Sequence, residues 1–409
     1  MVSLDISSFT YETRASGLLL WNSAKRYRPK FQDTTAEEAN SATSSNANDN
    51  GARDRRKLDS EGMVLLMAHG TGYHKEHWEP TIEHLFDLEF TTASASSSPN
   101  PKSAIHIREC WAVDVQNHGE AAVLNEKITR EKPEVWSIWD YADAFATLRR
   151  DILGADASYQ DNKFVLVAHS ASATAAVLAT TYFPVPTIPE IFHSLIFIEP
   201  ATIPDPSFVD PAKHTPLFRS VGQLMLKRKD TWPSKEAAKE WMSEKLPWGM
   251  WDERVLNAYV EFGLGTVSGD KEGAVTLRCT REIESLIYNR GVRQGLPGLW
   301  QLNLLCNVNA HLGDSRLSGL DKDVKKAKPG VGKPILPIHV VWGEIDDMFS
   351  SEVKDGLEDP AQGRVFTSVR RVEDVGHMMV QTSPQATAKA LWDIFVESVD
   401  EFQEVKSKL

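Results

Sequence analysis

Short apolar runs bounded by turn residues recur along the chain and predict buried parallel strands. Five such runs lie at Met63 to Ala68, Cys110 to Val115, Phe164 to Ala168, Leu195 to Ile198 and Ile338 to Trp342. Helical patterns separate most of these runs, for instance around Trp139 to Leu153, and another follows the last run at Pro384 to Val396. Strands that alternate with helices predict a doubly wound α/β sheet.

Three segments depart from this alternation. Residues 33–60 and 91–103 are polar and carry few large apolar side chains, so we expect them to be flexible surface insertions that cannot offset the entropy of ordering. Between 205 and 305 the strand pattern lapses, and Trp232 to Lys245 and Asp252 to Phe262 predict amphipathic helices. We therefore predict a core formed by residues 1–204 and 306–406, with 205–305 as a helical cap.

Composition excludes several classes of protein. A chain of 409 residues with 41% hydrophobic content can bury a large core, and its formal charge of -12 opposes binding to nucleic acid or to anionic membrane surfaces. No apolar stretch approaches the length of a transmembrane helix. Three scattered cysteines, Cys110, Cys279 and Cys306, are too few for a disulfide framework or a cysteine-based zinc site.

The last three residues, Ser407, Lys408 and Leu409, form the tripeptide that the peroxisomal import receptor reads. They predict a location in the peroxisomal matrix, with that receptor as a partner. The alternative is an ordinary charged tail.

The segment around Ser170 predicts a nucleophile. An apolar strand there runs into a tight turn and then into a helix of small residues, which is the outline of a nucleophile elbow. Ala168 and Ser172 stand where the usual G-x-S-x-G pattern has glycines, and both are small enough to fit. The alternative is that the serine only caps the helix.

A second turn, His69-Gly70-Thr71-Gly72, follows another predicted strand. In an acyl-transfer site the oxyanion needs donors from such a loop and from the residue after the nucleophile, which predicts the backbone N–H groups of Thr71 and Ala171. The alternative is a plain turn. His74 and His77 are three residues apart and do not form an H-E-x-x-H motif, so we predict no metal site.

Candidates for the acid and the base lie later in the chain. Asp346 follows a predicted strand and is the expected acid, although it could be an ordinary turn residue, and Glu199 at another strand end competes with it. His377 follows Gly376 and completes the order Ser, Asp, His. An imidazole can take and return the serine proton near neutral pH, which predicts His377 as the base.

Together these segments resemble the α/β-hydrolase superfamily over most of the chain. More narrowly, the run Ala112-Val-Asp-Val-Gln-Asn-His-Gly-Glu-Ala, the run Ile198-Glu-Pro and the terminal tripeptide resemble fungal peroxisomal lipases and related hydrolases of fungal toxin pathways. The resemblance implies a Ser-Asp/Glu-His triad, a backbone oxyanion hole, a helical cap after the sixth strand and no cofactor. In some members the acid comes from the end of the sixth strand, where Glu199 would lie.

We therefore expect hydrolysis of an acyl ester, of a lipid or a secondary-metabolite intermediate, through an acyl-Ser170 intermediate. Four cap tryptophans would line an apolar pocket, unless they only pack the cap core: Trp232, Trp241, Trp248 and Trp251. Two alternatives stay open. The same triad could transfer the acyl group to an alcohol, amine or thiol, or the fold could be a non-catalytic binding protein of the peroxisome.

Overall fold

The computed structural model describes residues 2–14, 16–30, 61–95, 105–132, 136–202, 220–267, 269, 273–312, 336–362 and 364–406. The strands are β1 (Leu4–Thr13), β2 (Leu20–Pro29), β3 (Met63–Ala68), β4 (Ile107–Val113), β5 (Lys163–His169), β6 (Ser194–Ile198), β7 (Thr231–Trp232), β8 (Leu264–Thr266), β9 (Val275–Leu277), β10 (Ile338–Gly343) and β11 (Ser368–Val372).

The α-helices are α1 (Glu79–Ala95), α2 (Gly119–Leu124), α3 (Glu126–Glu131), α4 (Ile138–Thr147), α5 (Ser172–Ala179), α6 (Ile188–Ile191), α7 (Lys235–Ser243), α8 (Glu253–Gly263), α9 (Arg281–Leu312), α10 (Ser351–Glu358), α11 (Met379–Thr382) and α12 (Pro384–Lys406). Residues 220–227 are helical as well. Short 3₁₀ helices lie at Lys75–Trp78, Ala157–Tyr159, Thr180–Tyr182, Val185–Thr187, Trp248–Met250 and Pro360–Gln362, and a π-helical turn at Leu148–Leu153 continues α4.

Eight strands form the central sheet in the order β1-β2-β4-β3-β5-β6-β10-β11. β2 runs antiparallel to both of its neighbours, and the other pairs are parallel. The five strands predicted from apolar runs are all present, and each is buried along nearly its whole length. The sheet therefore confirms the predicted α/β class.

Sequence patterns missed three strands of the central sheet, which are β1 and β11 at its two edges and β2 next to β1. β1 and β11 alternate between exposed and more buried positions, and β2 mixes polar with apolar residues. An edge strand with one solvated face carries no continuous apolar run, so its sequence does not stand out from a loop.

Two apolar clusters pack on opposite faces of the sheet. One contains Tyr141 and Phe145 of α4, together with α5 and the second half of α9. The other contains Leu85 of α1 and Leu391 of α12. A β-carbon at Gly298 would lie 2.5 Å from Cγ2 of Thr174, so α9 approaches α5 as closely as a glycine allows.

Within residues 205–305, the segment predicted to be a cap, the described elements are residues 220–227, α7, the 3₁₀ turn Trp248–Met250, α8, the first half of α9 and the small antiparallel sheet β7-β9-β8. This segment has its own apolar cluster, which includes Met242 and Tyr259. Helix α9 continues past residue 305 without a break, so the predicted boundary between cap and core lies within one helix.

The two predicted insertions have different outcomes. Residues 33–60 lie outside the described residues. Of 91–103, the first five residues are helical and end α1, and the rest lie outside the described residues. None of the helices in the described ranges is long and apolar enough to span a membrane.

Candidate active site

Ser170 lies in the sharp turn between β5 and α5. Its φ of 59° is in the left-handed region, where a β-carbon is strained, and the turn is held by a hydrogen bond of 2.9 Å from Ser170 N–H to the Ile198 carbonyl. Ser172, which replaces the second glycine of the usual motif, donates its hydroxyl to the carbonyls of Ala68 (3.0 Å) and His169 (2.6 Å). Ser172 therefore fits in place of the glycine, because its hydroxyl bonds to the backbone of neighbouring residues.

His377 lies beside Ser170, in the loop after β11. Its Nε2 lies 2.9 Å from Oγ of Ser170, and both residues are buried. The backbone N–H of His377 donates to Oδ1 of Asp347 at 2.8 Å. A β-carbon at Gly376 would collide with the Asp347 carboxylate, so the close approach of the loop to this aspartate requires glycine. The structure therefore brings together the two residues predicted as nucleophile and base.

The carboxylate that contacts His377 is that of Glu199. Oε2 of Glu199 lies 3.3 Å from Nδ1 of His377, and Oε1 accepts a hydrogen bond of 2.6 Å from the backbone N–H of Gly343. The amine of Lys354 lies 3.6 Å from the same Oε1. Glu199 follows β6 directly and has a φ of 45°, so this residue too occupies a strained position at a strand end.

The expectation that Asp346 contacts His377 is corrected by the structure. Oδ2 of Asp346 accepts hydrogen bonds from Ser351, 3.0 Å from the backbone N and 2.6 Å from Oγ, and Oδ1 lies 2.9 Å from Nζ of Lys354. The Ser351 hydrogen bond, followed by the one from Lys354, lowers the pKa of Asp346 below its usual value. Both partners of Asp346, Ser351 and Lys354, lie in the first turn of α10. These contacts hold the Asp346 carboxylate away from the His377 ring.

Two residues near His377 were missed from sequence. Asp347 holds the backbone of the histidine loop, and only the neighbouring acidic residue was singled out. His169 precedes the nucleophile, and its Nε2–H donates to the carbonyl of His377 at 2.9 Å. Burial lowers the pKa of His169 to about 3, so its ring is neutral at physiological pH. The position of His169 directly before Ser170 was the feature of the sequence that could have identified it.

Thr71 and Ala171, the residues predicted to supply the oxyanion donors, both line the same pocket. In the part of the chain that the structure describes, neither N–H donates to a protein acceptor. The carbonyl of the Gly70–Thr71 peptide lies 2.8 Å from Nδ1 of His69, which fixes the plane of that peptide and thereby the direction of the Thr71 N–H. The close packing of Gly70 on the elbow, with its β-carbon position 3.2 Å from Cβ of Ser170, brings the turn and the nucleophile together.

A pocket adjoins these amides. It lies between the residues after β3, the loop after β4, the start of α4 and the start of helices α5 and α9, and it is lined by His69, Thr71, Val115, Gln116, Asn117, His118, Trp136, Ser137, Ile138, Tyr141, Ala171, Ser172, Ile283, Leu286 and Ile287. None of the four tryptophans predicted to line an apolar pocket is among these lining residues. Three of them form a chain of ring contacts in which Trp241 contacts both Trp232 and Trp248. The ring of Trp251 instead contacts Tyr259 of α8, Tyr73 and His77.

His74 and His77 lie in the 3₁₀ turn and beside it, under the cap. Nδ1 of His74 lies 2.8 Å from Oε2 of Glu76, and the two rings meet edge to face. Within the described ranges, no cluster of three or more histidine, cysteine or acidic side chains is arranged to hold a metal ion.

A model of the alpha/beta hydrolase family matches residues 65–390. This match spans most of the chain, so the protein belongs to the α/β-hydrolase family, as its sheet order and elbow also indicate. No curated protein matches the chain in sequence.

Several solved structures share the fold. The peroxisomal α/β-hydrolase Lpx1 of Saccharomyces cerevisiae is 15% identical with a TM-score of 0.63, over 97% of this chain and 89% of that one. E-2-(acetamidomethylene)succinate hydrolase is 16% identical with a TM-score of 0.56, over 96% and 100%. An esterase of Mycobacterium tuberculosis is 14% identical with a TM-score of 0.51, over 95% and 91%. Similarity at these identities concerns the fold alone.

Proposed function

We propose that the protein is a serine hydrolase that cleaves an acyl ester through an acyl-Ser170 intermediate. The observation that carries the proposal is the chain of contacts from the buried carboxylate of Glu199 through His377 to Oγ of Ser170, at 3.3 and 2.9 Å. The roles are nucleophile for Ser170, general base for His377 and acid for Glu199. Membership of the α/β-hydrolase family supports the same reaction class.

In the first half of the reaction, Ser170 Oγ forms a bond to the acyl carbon while its proton passes to Nε2 of His377. Glu199 stabilises the resulting imidazolium through Nδ1–H. The carbonyl oxygen becomes negative and takes hydrogen bonds from the N–H groups of Thr71 and Ala171. The bond between the acyl carbon and the alcohol oxygen then breaks, and the departing alcohol takes the proton from His377.

In the second half, water attacks the acyl carbon and gives its proton to His377, and the acid product leaves as Ser170 recovers its proton. An alcohol, amine or thiol in place of water would make the protein an acyltransferase. Adding a competing alcohol to the assay separates these reactions, since only acyl transfer yields the new ester as the main product.

We propose that the acyl group is neutral and apolar, as in a lipid or a secondary-metabolite intermediate. The pocket beside the oxyanion donors is lined by no lysine, arginine or carboxylate in the described residues. Burial lowers the pKa of His69 and of His118, also on its wall, to about 3, so neither ring is charged. The leaving alcohol must lie beside His377, which protonates it, and His377 does not line this pocket. We therefore assign the pocket to the acyl group of the substrate.

The first experiment is labelling with an alkyl fluorophosphonate, followed by mass spectrometry of the modified peptide. We expect Ser170 to be labelled in the native protein, and expect Ser170→Ala and His377→Ala to abolish labelling while their circular dichroism spectra stay native. Asp346→Asn is the matched control and should still be labelled. A folded native protein that resists labelling contradicts the proposal and favours a non-catalytic binding protein.

A peroxisomal location is proposed as well. It rests on Ser407, Lys408 and Leu409, which lie outside the described residues, and agrees with the peroxisomal origin of one structural relative. A fluorescent protein fused to the N-terminus should enter peroxisomes and should stay in the cytosol when the three residues are removed. Diffuse fluorescence of the full-length fusion contradicts the proposal.

A further inference from the structure

One buried histidine, His118, binds the turn His69-Gly70-Thr71-Gly72 but exchanges no proton in the proposed reaction. Nε2 of His118 lies 2.9 Å from the backbone N of Gly72, and Nδ1 lies 2.6 Å from Oδ1 of Asn117. Because the Gly72 N–H is a donor, Nε2 must accept, and Nδ1 must carry the ring proton that it donates to Asn117. His118 is fully buried, so no bulk water replaces either bond.

The bond to Gly72 restrains the peptide that follows Thr71. His69 already fixes the preceding peptide through the Gly70 carbonyl, at 2.8 Å. Gly72 has a φ of 86°, a conformation that glycine enters and leaves at little cost, so without a partner for its N–H this end of the turn would rotate more freely. Two histidines on the loops after β3 and β4 thus hold the peptides on both sides of Thr71.

We propose that His118 is a positioning residue that aligns the Thr71 N–H with the oxyanion formed during acyl transfer. This inference rests on the proposed function and adds a residue to it. The role requires an unprotonated acceptor at Nε2 and not merely a side chain of this size. Burial meets that requirement, since it lowers the pKa of the ring to about 3 and keeps Nε2 free of a proton at neutral pH.

The test compares His118→Leu with His118→Gln in the full-length protein. Glutamine can place an amide oxygen near the position of Nε2 and restore an acceptor, whereas leucine keeps bulk and removes it. The readout is the kinetics of an alkyl fluorophosphonate, whose phosphoryl oxygen occupies the oxyanion site when Ser170 attacks phosphorus and fluoride leaves. The maximal labelling rate reports alignment of the donors, and the half-saturating concentration reports binding of the probe.

We expect His118→Leu to lower the maximal rate about 10- to 100-fold, somewhat less than removal of a whole oxyanion donor, with the half-saturating concentration within about threefold of native. His118→Gln should recover most of the rate. The control is His339→Leu, which removes a buried histidine of β10 that bonds Ser368 and does not touch the turn. It should leave the maximal rate unchanged.

A second variant keeps the test decisive if leucine at 118 prevents folding. Asn117→Ala keeps the ring but removes the acceptor that holds its proton on Nδ1, and should also lower the maximal rate. The inference is overturned if the folded variants label at the native rate, if glutamine is as impaired as leucine, or if only probe binding weakens. If the native protein itself is not labelled, the proposed function fails, and the positioning role fails with it.

Discussion

Replacement of Glu199 by glutamine should remove most of the catalytic power while leaving the fold intact. The native carboxylate accepts two hydrogen bonds, from Gly343 N–H at 2.6 Å and from His377 Nδ1–H at 3.3 Å, and is almost fully buried. An amide has one oxygen and one NH₂ group, so it cannot accept at both ends. If the oxygen stays on Gly343, the NH₂ group faces Nδ1 and forces the ring proton onto Nε2, where it blocks the transfer from Ser170.

The magnitude follows from the charge that is lost. A unit negative charge 3.3 Å from the imidazolium is worth about 5 kcal/mol at an effective dielectric constant of about 20. Since each 1.36 kcal/mol is about tenfold in rate, Glu199→Gln should slow acylation about 10³- to 10⁴-fold. The assay is the maximal rate of fluorophosphonate labelling, with thermal unfolding measured in parallel to show that the variant is folded.

Asp346→Asn is the matched control for this prediction. The Asp346 side chain is 37% exposed, and its partners are Ser351 and Lys354 rather than His377. The rate should therefore stay within about threefold of native. The assignment of the acid is refuted if Glu199→Gln labels within tenfold of the native rate while Asp346→Asn loses more than a hundredfold.

Three further predictions concern stability. Gly72→Ala places a β-carbon 2.5 Å from Oε1 of Glu284 at a positive φ, so unfolding should be easier by about 1–3 kcal/mol and labelling slower. Gly269→Ala, at a similar φ in open space, should show the smaller backbone effect alone, and equal losses contradict the clash. Ser170→Gly should be about 1 kcal/mol more stable in urea than Ser170→Ala, because glycine relieves the left-handed strain, and a less stable glycine variant contradicts this strain. Burial lowers three histidine pKa values from 6.5 to about 3, those of His69, His118 and His169. The unfolded chain therefore binds protons that the folded one refuses, and the free energy of unfolding should fall as pH drops below 6.5, by up to about 1.4 kcal/mol per pH unit for each ring. The measurement is urea unfolding between pH 7.5 and 5, in which His118→Gln should reduce the dependence of the unfolding free energy on pH by the contribution of one histidine. An unchanged pH dependence would contradict the neutral state of the buried His118 ring.

The sequence alone determined the α/β class and the five central strands, and it singled out two residues that the structure brings into contact, Ser170 and His377. Buried parallel strands are apolar on both faces, so their pattern is local and is visible without the fold. The elbow is local as well, because a strand, a strained serine and a helix of small residues are consecutive in the chain. The local elbow therefore pointed to Ser170, and the order of candidate residues along the chain pointed to His377. The edge strands β1 and β11, which are half solvated, could not be recognised in this way.

The tertiary structure decided which carboxylate meets His377. Asp346 and Glu199 both follow parallel strands, and the carboxyl ends of β6 and β10 are neighbours in the sheet, so the sequence offered two acids for one position. The start of α10 binds Asp346 through Ser351 and Lys354, which leaves Glu199 beside the imidazole. The placing of the pocket against Trp136 and α9 depends likewise on contacts between residues far apart in the chain. Such contacts form only when the sheet and its helices pack, and no local pattern of residues encodes them.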